Sequence, residues 1–259
     1  MIECYSCLEL EKKREPASIA WDDKYFCVKH GRESLYEKTI NTQSDINEHL
    51  PLLRELASRC KHVTEFGMRW ARGSTVAFLA AQPETFISWD LDPTFVTSPR
   101  VYSLLPLVEK TKFQPRTGNT LEIIIEPTEL LFIDTLHTGK HLLAELERHG
   151  DPKDRKVSKY LVFHDTALFG LVGEDGIAPG LRTAIRQFQR LFAFPLWKLM
   201  QADKDIEKAT GIADGTLLDL ENNSGLIVLE HVCANGHSPR RVGGRCDWCG
   251  QLLNQEKQK

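Results

Sequence analysis

The chain has 259 residues, 41% of them hydrophobic, enough to bury a full α/β core and leave residues over for small appendages. Its 33 basic residues against 36 acidic give a formal charge of −3, which excludes a broad field for gripping nucleic acid. No run approaches the roughly 18 to 20 uninterrupted apolar residues of a membrane span, and MIECYSCLELEKKRE has no apolar signal core, so a soluble cytoplasmic protein without a membrane partner is expected.

The N-terminal segment, residues 1–34, carries Cys4 and Cys7 as a CxxC pair and Cys27 with His30 as a CxxH pair. Two close pairs of soft ligands suit tetrahedral Zn2+, because each short turn offers two ligands to the same side of the ion. Without a secretion signal, such clusters read as metal sites rather than disulfides. At the other end, residues 232–259 hold Cys233, His237, Cys246 and Cys249, with Gly236, Gly243, Gly244 and Gly250 around them. This reads as a zinc ribbon or knuckle, and both sets are closed, structural sites. Arg240, Arg241 and Arg245 make the second set locally basic, which suits either solvated arginines or a nucleic-acid or protein partner.

Between the ends, residues 35–231 alternate short strand-like runs with helical periodicity, the signature of a sheet with crossover helices. Predicted strands are His62 to Phe66, Thr85 to Trp89, Leu130 to Ile133, Tyr160 to Phe163, Leu196 to Met200 and Leu226 to Glu230, with a weaker one at Lys112 to Pro115. The expected fold is a Rossmann-like, mostly parallel seven-stranded sheet with helices on both faces and an antiparallel last strand. Leu181, Ala184, Ile185, Phe188, Leu191 and Phe192 fall on one face of a helix that packs on the sheet.

Four features carry chemistry. The first strand runs into EFGMRWARGST, where Gly67 and Gly73 let backbone approach a ligand ahead of a helix starting at Ser74. The second ends in Trp89-Asp90-Leu91-Asp92; a carboxylate there accepts both ribose hydroxyls of a nucleoside, and Asp90 is favoured over Asp92 because it directly ends the strand. LLFIDTLH then delivers Asp134 and His137, and YLVFHDT delivers His164 and Asp165, all to one sheet edge. Two carboxylates that close should raise at least one pKa unless a cation lies between them.

In order and spacing, EFGMRWARGST, SWDLDP, TGNTLEI, LLFIDTLH, YLVFHDT and NNSGLIVLEH resemble the class I methyltransferases that include the cephalosporin hydroxylase-like and catechol O-methyltransferase-like enzymes. The resemblance covers about residues 60 to 231 and excludes both zinc sets. It implies S-adenosylmethionine (SAM) as cofactor, with Glu65, Gly67 and Ser74 at its methionine and ribose end, Asp90 on the ribose and Asn119 near the adenine. It also implies a divalent cation, Mg2+ or another, at Asp134, His164 and Asp165. Two departures stand out. Thr135 and Leu136 occupy positions where the family often has a glycine and an acid, and His164 replaces an oxygen ligand.

The expected reaction is O-methylation of a small-molecule or sugar-like acceptor, with His137 or Lys140 as base; His137 reads equally as an additional ligand. Two other readings are a catalytically inactive adaptor that uses its zinc sets on a partner, and a non-haem iron oxygenase built on Asp134, His137 and His164.

Overall fold

The computed structural model describes residues 31–232, apart from 99–100, 102–103, 105–109, 152, 155 and 194–196. The Cys/His sets at Cys4, Cys7, Cys27 and His30 and at Cys233, His237, Cys246 and Cys249 lie outside the described residues. Strands β1 (His62–Phe66), β2 (Thr85–Asp90), β3 (Lys112–Thr117), β4 (Thr128–Ile133), β5 (Val157–His164), β6 (Trp197–Leu199), β7 (Asp219–Leu220) and β8 (Leu226–His231) form one sheet. Its order is β3-β2-β1-β4-β5-β8-β6, with β7 paired to β8. β1 to β5 are parallel, and β8 runs antiparallel between β5 and β6. This is a mixed, mostly parallel, Rossmann-like α/β sheet.

The helices are α1 (Gly31–Ile40), α2 (Leu50–Ser58), α3 (Ser74–Ala81), α4 (Pro93–Val96), α5 (Gly139–His149), α6 (Leu181–Phe188) and α7 (Lys204–Thr210). Side chains alternate across a strand, so a sheet covered on both faces needs continuous apolar runs rather than alternating ones. LLFI, YLVF and LIVL supply them. Leu130, Phe132, Tyr160, Val162 and Val228 enter one core with Leu35, Leu53, Phe78 and Ile206 of α1, α2, α3 and α7. Leu131, Ile133, Leu161, Phe163 and Ile227 enter the other with Leu142 and Leu146 of α5 and Ile185 and Phe188 of α6.

One expected helical face is shorter than the sequence implies. Leu181, Ala184, Ile185 and Phe188 are buried, but after Phe188 the winding loosens into a π turn, Gln189–Ala193. That change of period rotates Leu191 off the apolar face, leaving it 61% exposed; the Phe192 side chain lies outside the described ones. The lone central cysteine, Cys60, is buried and donates its thiol to the Leu56 carbonyl at 3.3 Å. Among the described residues no helix is long and apolar enough to cross a membrane.

Candidate active site and metal centre

Parallel strands backed by helices offer their carboxyl edge to ligands. There β1 leads into Gly67, β2 ends at Asp90, β3 leads into Gly118 and Asn119, β4 leads into Asp134, and β5 ends at His164, followed by Asp165. The turn after β1 lies flat on the exit of β4. Gly67 has φ +89°, and a Cβ there would meet the Asp134 backbone oxygen, so no other residue fits without displacement.

A cavity of about 400 Å³ opens along this edge. Asp90, Trp89 and Asn119 stand on its wall together with Gly67, Asp134, His137, His141 and Glu174. A neighbouring cavity of about 210 Å³ shares Gly67, Arg69 and Asp134 and adds Asp45, Ile46, Gly73 and Ser74. The Asp90 carboxylate accepts the Arg69 amide at 2.7 Å and the Asp92 amide at 2.9 Å, and each oxygen keeps a second lone pair. Asp92 is spent as a helix cap, accepting from the Thr94 amide at 2.8 Å. Asn119 bonds locally to Glu122 and to the Leu121 amide.

Among the cofactor and base candidates, two do not stand on either cavity wall. Glu65 is fully buried beneath them and accepts from Ser74 Oγ at 2.6 Å, from Thr75 Oγ1 at 2.9 Å and from Ser88 Oγ. Burial pushes its carboxyl up to about 7, against the opposing effect of those hydroxyls. It ties β1 and β2 to the first turn of α3. Lys140 is exposed on the first turn of α5 and away from the wall.

Asp134, His164 and Asp165 each offer a ligand atom, all within 4.8 Å of one another. His137 joins them: its Nε2 lies 3.1 Å from Asp134 Oδ1 and 3.0 Å from Asp165 Oδ2, and its Nδ1 lies 2.9 Å from Glu174 Oε2. Phe169 stacks parallel on the ring, centroids 4.9 Å apart. His164 donates Nε2–H to the Asp45 carbonyl at 3.1 Å. Its Nδ1 is buried without a hydrogen-bond partner and faces Asp134 and Asp165 at 3.4 and 3.5 Å. The segment bearing Asp45 is clasped from behind, by Asn223 Nδ2 on the Ser44 carbonyl and Asn222 Nδ2 on Glu48. Asp165 itself has φ +55°, an uncommon conformation outside glycine that points to a positional demand on its side chain.

The carboxylates do not behave as the sequence implied. Burial raises Asp134, but the neighbouring His137 and His164 imidazoles outweigh it and hold the group down to about 2; Asp165 is held below the usual carboxylate range in the same way. Conversely burial lowers both histidines, but the two carboxylates hold each up to about 10. Counting the carboxylates alone had left out the positive charge beside them. The residues present fit a divalent cation: a buried imidazole nitrogen without a hydrogen bond faces two ionised carboxylates. Glu174 and Asp45 had no signature in the sequence. Glu174 arrives on an irregular loop, and Asp45 contributes only a main-chain carbonyl. Glu145, also unforeseen, lies buried behind the wall and accepts from Thr120, Thr135 and His141.

No protein-family model matches the chain, and no curated protein is similar to it. Among solved structures, the SAH-bound methyltransferase PaMTH1 of Podospora anserina is 12% identical, with 87% of this chain and 93% of that one covered and a TM-score of 0.48. An O-methyltransferase from Bacillus cereus in complex with SAH is 13% identical, covering 86% and 96%, with a TM-score of 0.46. The O-methyltransferase TomG of Streptomyces achromogenes, involved in tomaymycin synthesis and in complex with SAM, is 13% identical, covering 80% and 91%, with a TM-score of 0.44. Likenesses of this size leave the activity to be argued from the site itself.

Proposed function

We propose that the chain is a SAM-dependent O-methyltransferase assisted by a divalent cation at Asp134, His164 and Asp165. The observation that carries this reading is the single cavity whose wall holds a nucleoside-type carboxylate, Asp90, and the Asp134–His137 end of the metal centre. Its volume suits a cofactor of nucleoside size. Asp90 takes the ribose hydroxyls with its remaining lone pairs, Asn119 stands near the adenine, and Gly67, Gly73 and Ser74 border the methionine end. Glu65 acts from below by fixing Ser74 and Thr75.

Methyl transfer is an in-line displacement: the S–CH3 bond breaks as the O–CH3 bond forms, and S-adenosylhomocysteine (SAH) leaves with the electron pair. The protein's task is to align donor and acceptor. A bound cation supplies Lewis acidity that lowers the pKa of an acceptor hydroxyl. With Lys140 off the wall and both His137 nitrogens engaged by carboxylates, the groups placed to receive the acceptor proton are His141 and Glu174. The loop that brings Phe169 and Glu174 to His137 also exposes Leu168, Leu171, Val172 and Ile177, which suits a small acceptor with an apolar body.

Calorimetric titration of the full chain with SAH tests the cofactor assignment, and labelled methyl transfer from SAM to a panel of phenols and sugars tests the reaction. Absence of SAH binding overturns the reading. For the terminal sets the support is spacing alone: Cys4, Cys7, Cys27 and His30, and Cys233, His237, Cys246 and Cys249, are proposed to hold one structural zinc ion each. Elemental analysis should find about two zinc ions per chain; one or fewer argues against the pairing.

A further inference from the structure

We infer that the metal centre is built for a divalent transition ion of the manganese-to-zinc series rather than for Mg2+ or Ca2+. Its ligands are Asp134, His137 Nε2, His164 Nδ1 and Asp165, and Glu174 is the positioning residue that holds His137 in the ligating orientation. The inference rests on the metal-assisted reading above and specifies the ion.

Each imidazole has one nitrogen tied away from the centre. His164 gives Nε2–H to the Asp45 carbonyl, and His137 gives Nδ1–H to Glu174 at 2.9 Å. The remaining nitrogens converge on the same two carboxylate oxygens, Asp134 Oδ1 and Asp165 Oδ2, at 3.0 to 3.5 Å. Two ligands each about 2.1 Å from an ion stand about 3.0 Å apart at a right angle and about 3.4 Å apart at the tetrahedral angle. Each of these nitrogen-to-oxygen separations therefore matches a pair of neighbouring ligands of one ion, with Asp134, His164 and Asp165 as the three-residue set and His137 adjoining its two carboxylates. His164 is 2% exposed, and its Nδ1 has no hydrogen-bond partner, a costly state for a buried polar atom that has no other task.

The donor set then selects the metal. Mg2+ and Ca2+ are hard ions that take oxygen ligands, whereas imidazole suits iron, nickel, copper and zinc, with Mn2+ the weakest binder of the transition series and so the most stringent probe. Two imidazoles among four protein ligands tilt the site to the second group. A carboxylate on the far nitrogen of a ligating histidine fixes its tautomer and raises its basicity, and loss of such a partner typically weakens metal binding by about 10- to 100-fold. Glu174 occupies that position, and the parallel face of Phe169 restrains the same ring. The loop that borders the acceptor space thus also sets the grip on the metal.

The test uses the full chain, treated with chelator and loaded with Mn2+, which the thiolate-rich termini leave largely to the carboxylate–imidazole centre. Spin-echo spectroscopy should show coupling to imidazole nitrogen, and Mg2+ should displace Mn2+ only at an excess on the order of 100-fold. His164→Asn, which offers an amide oxygen, should narrow that preference by about tenfold and reduce the nitrogen coupling. Glu174→Gln should weaken Mn2+ by about 10- to 100-fold. Equal competition by Mg2+, absence of nitrogen coupling in the wild-type protein, or failure to bind Mn2+ overturns the inference, and none of these readings depends on a variant folding. If SAH binds while Mn2+ does not, this inference alone fails. If Mn2+ binds with nitrogen coupling while SAH does not, the methyltransferase reading fails and the metal assignment stands.

Discussion

A Cβ on Gly67 would stand 1.8 Å from the backbone oxygen of Asp134, so the turn after β1 and the first residue of the metal centre are packed in main-chain contact. Gly67→Ala has to move one of them and also adopt a positive φ. The expected cost is about 2 to 4 kcal/mol from strain and overpacking together. Urea denaturation measures it, and a loss under about 0.5 kcal/mol would show that the turn is soft.

Glu65 makes stability depend on pH. Its carboxyl titrates near 4.5 in the unfolded chain and at about 7 when buried, so between those values only the native state holds the proton. The associated stabilisation is complete below about 4.5, declines as pH rises and is gone above about 7, a swing on the order of 3 kcal/mol. Glu65→Gln keeps the shape and removes the titration. Denaturation midpoints from about pH 5 to about pH 8 should fall less steeply in the variant than in the wild type, and parallel curves would refute the assignment.

Replacing Asp90 by alanine should weaken SAH by on the order of 1.5 to 3 kcal/mol, the usual scale for hydrogen bonds to a charged group. The Arg69 and Asp92 amides lose their acceptor in the same variant. Isothermal titration reads the affinity, and an unchanged value moves the ribose contact elsewhere.

Asp165→Asn should abolish divalent-metal binding, and methyl transfer with it, while leaving SAH binding and the fold largely intact. Asparagine tolerates the left-handed backbone that Asp165 adopts, so the substitution tests charge rather than conformation. Transfer at the wild-type rate would sink the metal-assisted mechanism.

Much of the fold could be read from the chain because continuous apolar runs such as LLFI and YLVF have few other uses than a doubly covered strand. Strand ends in turn located Gly67, Asp90 and Asp134 along one edge, whereas Asn119 came only from the family resemblance. The sequence was silent where the outcome depends on three-dimensional neighbours. Leu191 left its face through a local change of helical period, and the two-residue β7 is too short to carry a pattern. Glu65 has the right chemistry for a cofactor contact, yet Ser74, Thr75 and Ser88 claim it from inside. Asp134 and Asp165 looked mutually repulsive until His137 and His164 were in place beside them.

The clasp around Asp45 has a consequence for the order in which the protein matures. The bond from His164 to Asp45 spans 119 positions, and those from Asn222 to Glu48 and from Asn223 to Ser44 span 174 and 179. Closing loops of that size carries an entropic cost that local contacts do not, and a ribosome delivers the asparagines long after Asp45. The β1-to-β4 region can begin to pair during synthesis, but the imidazole of His164 gains its locked Asp45 acceptor only when the β7–β8 connection arrives. On the proposed reading, competence to hold metal would therefore be among the last properties this chain acquires as it folds.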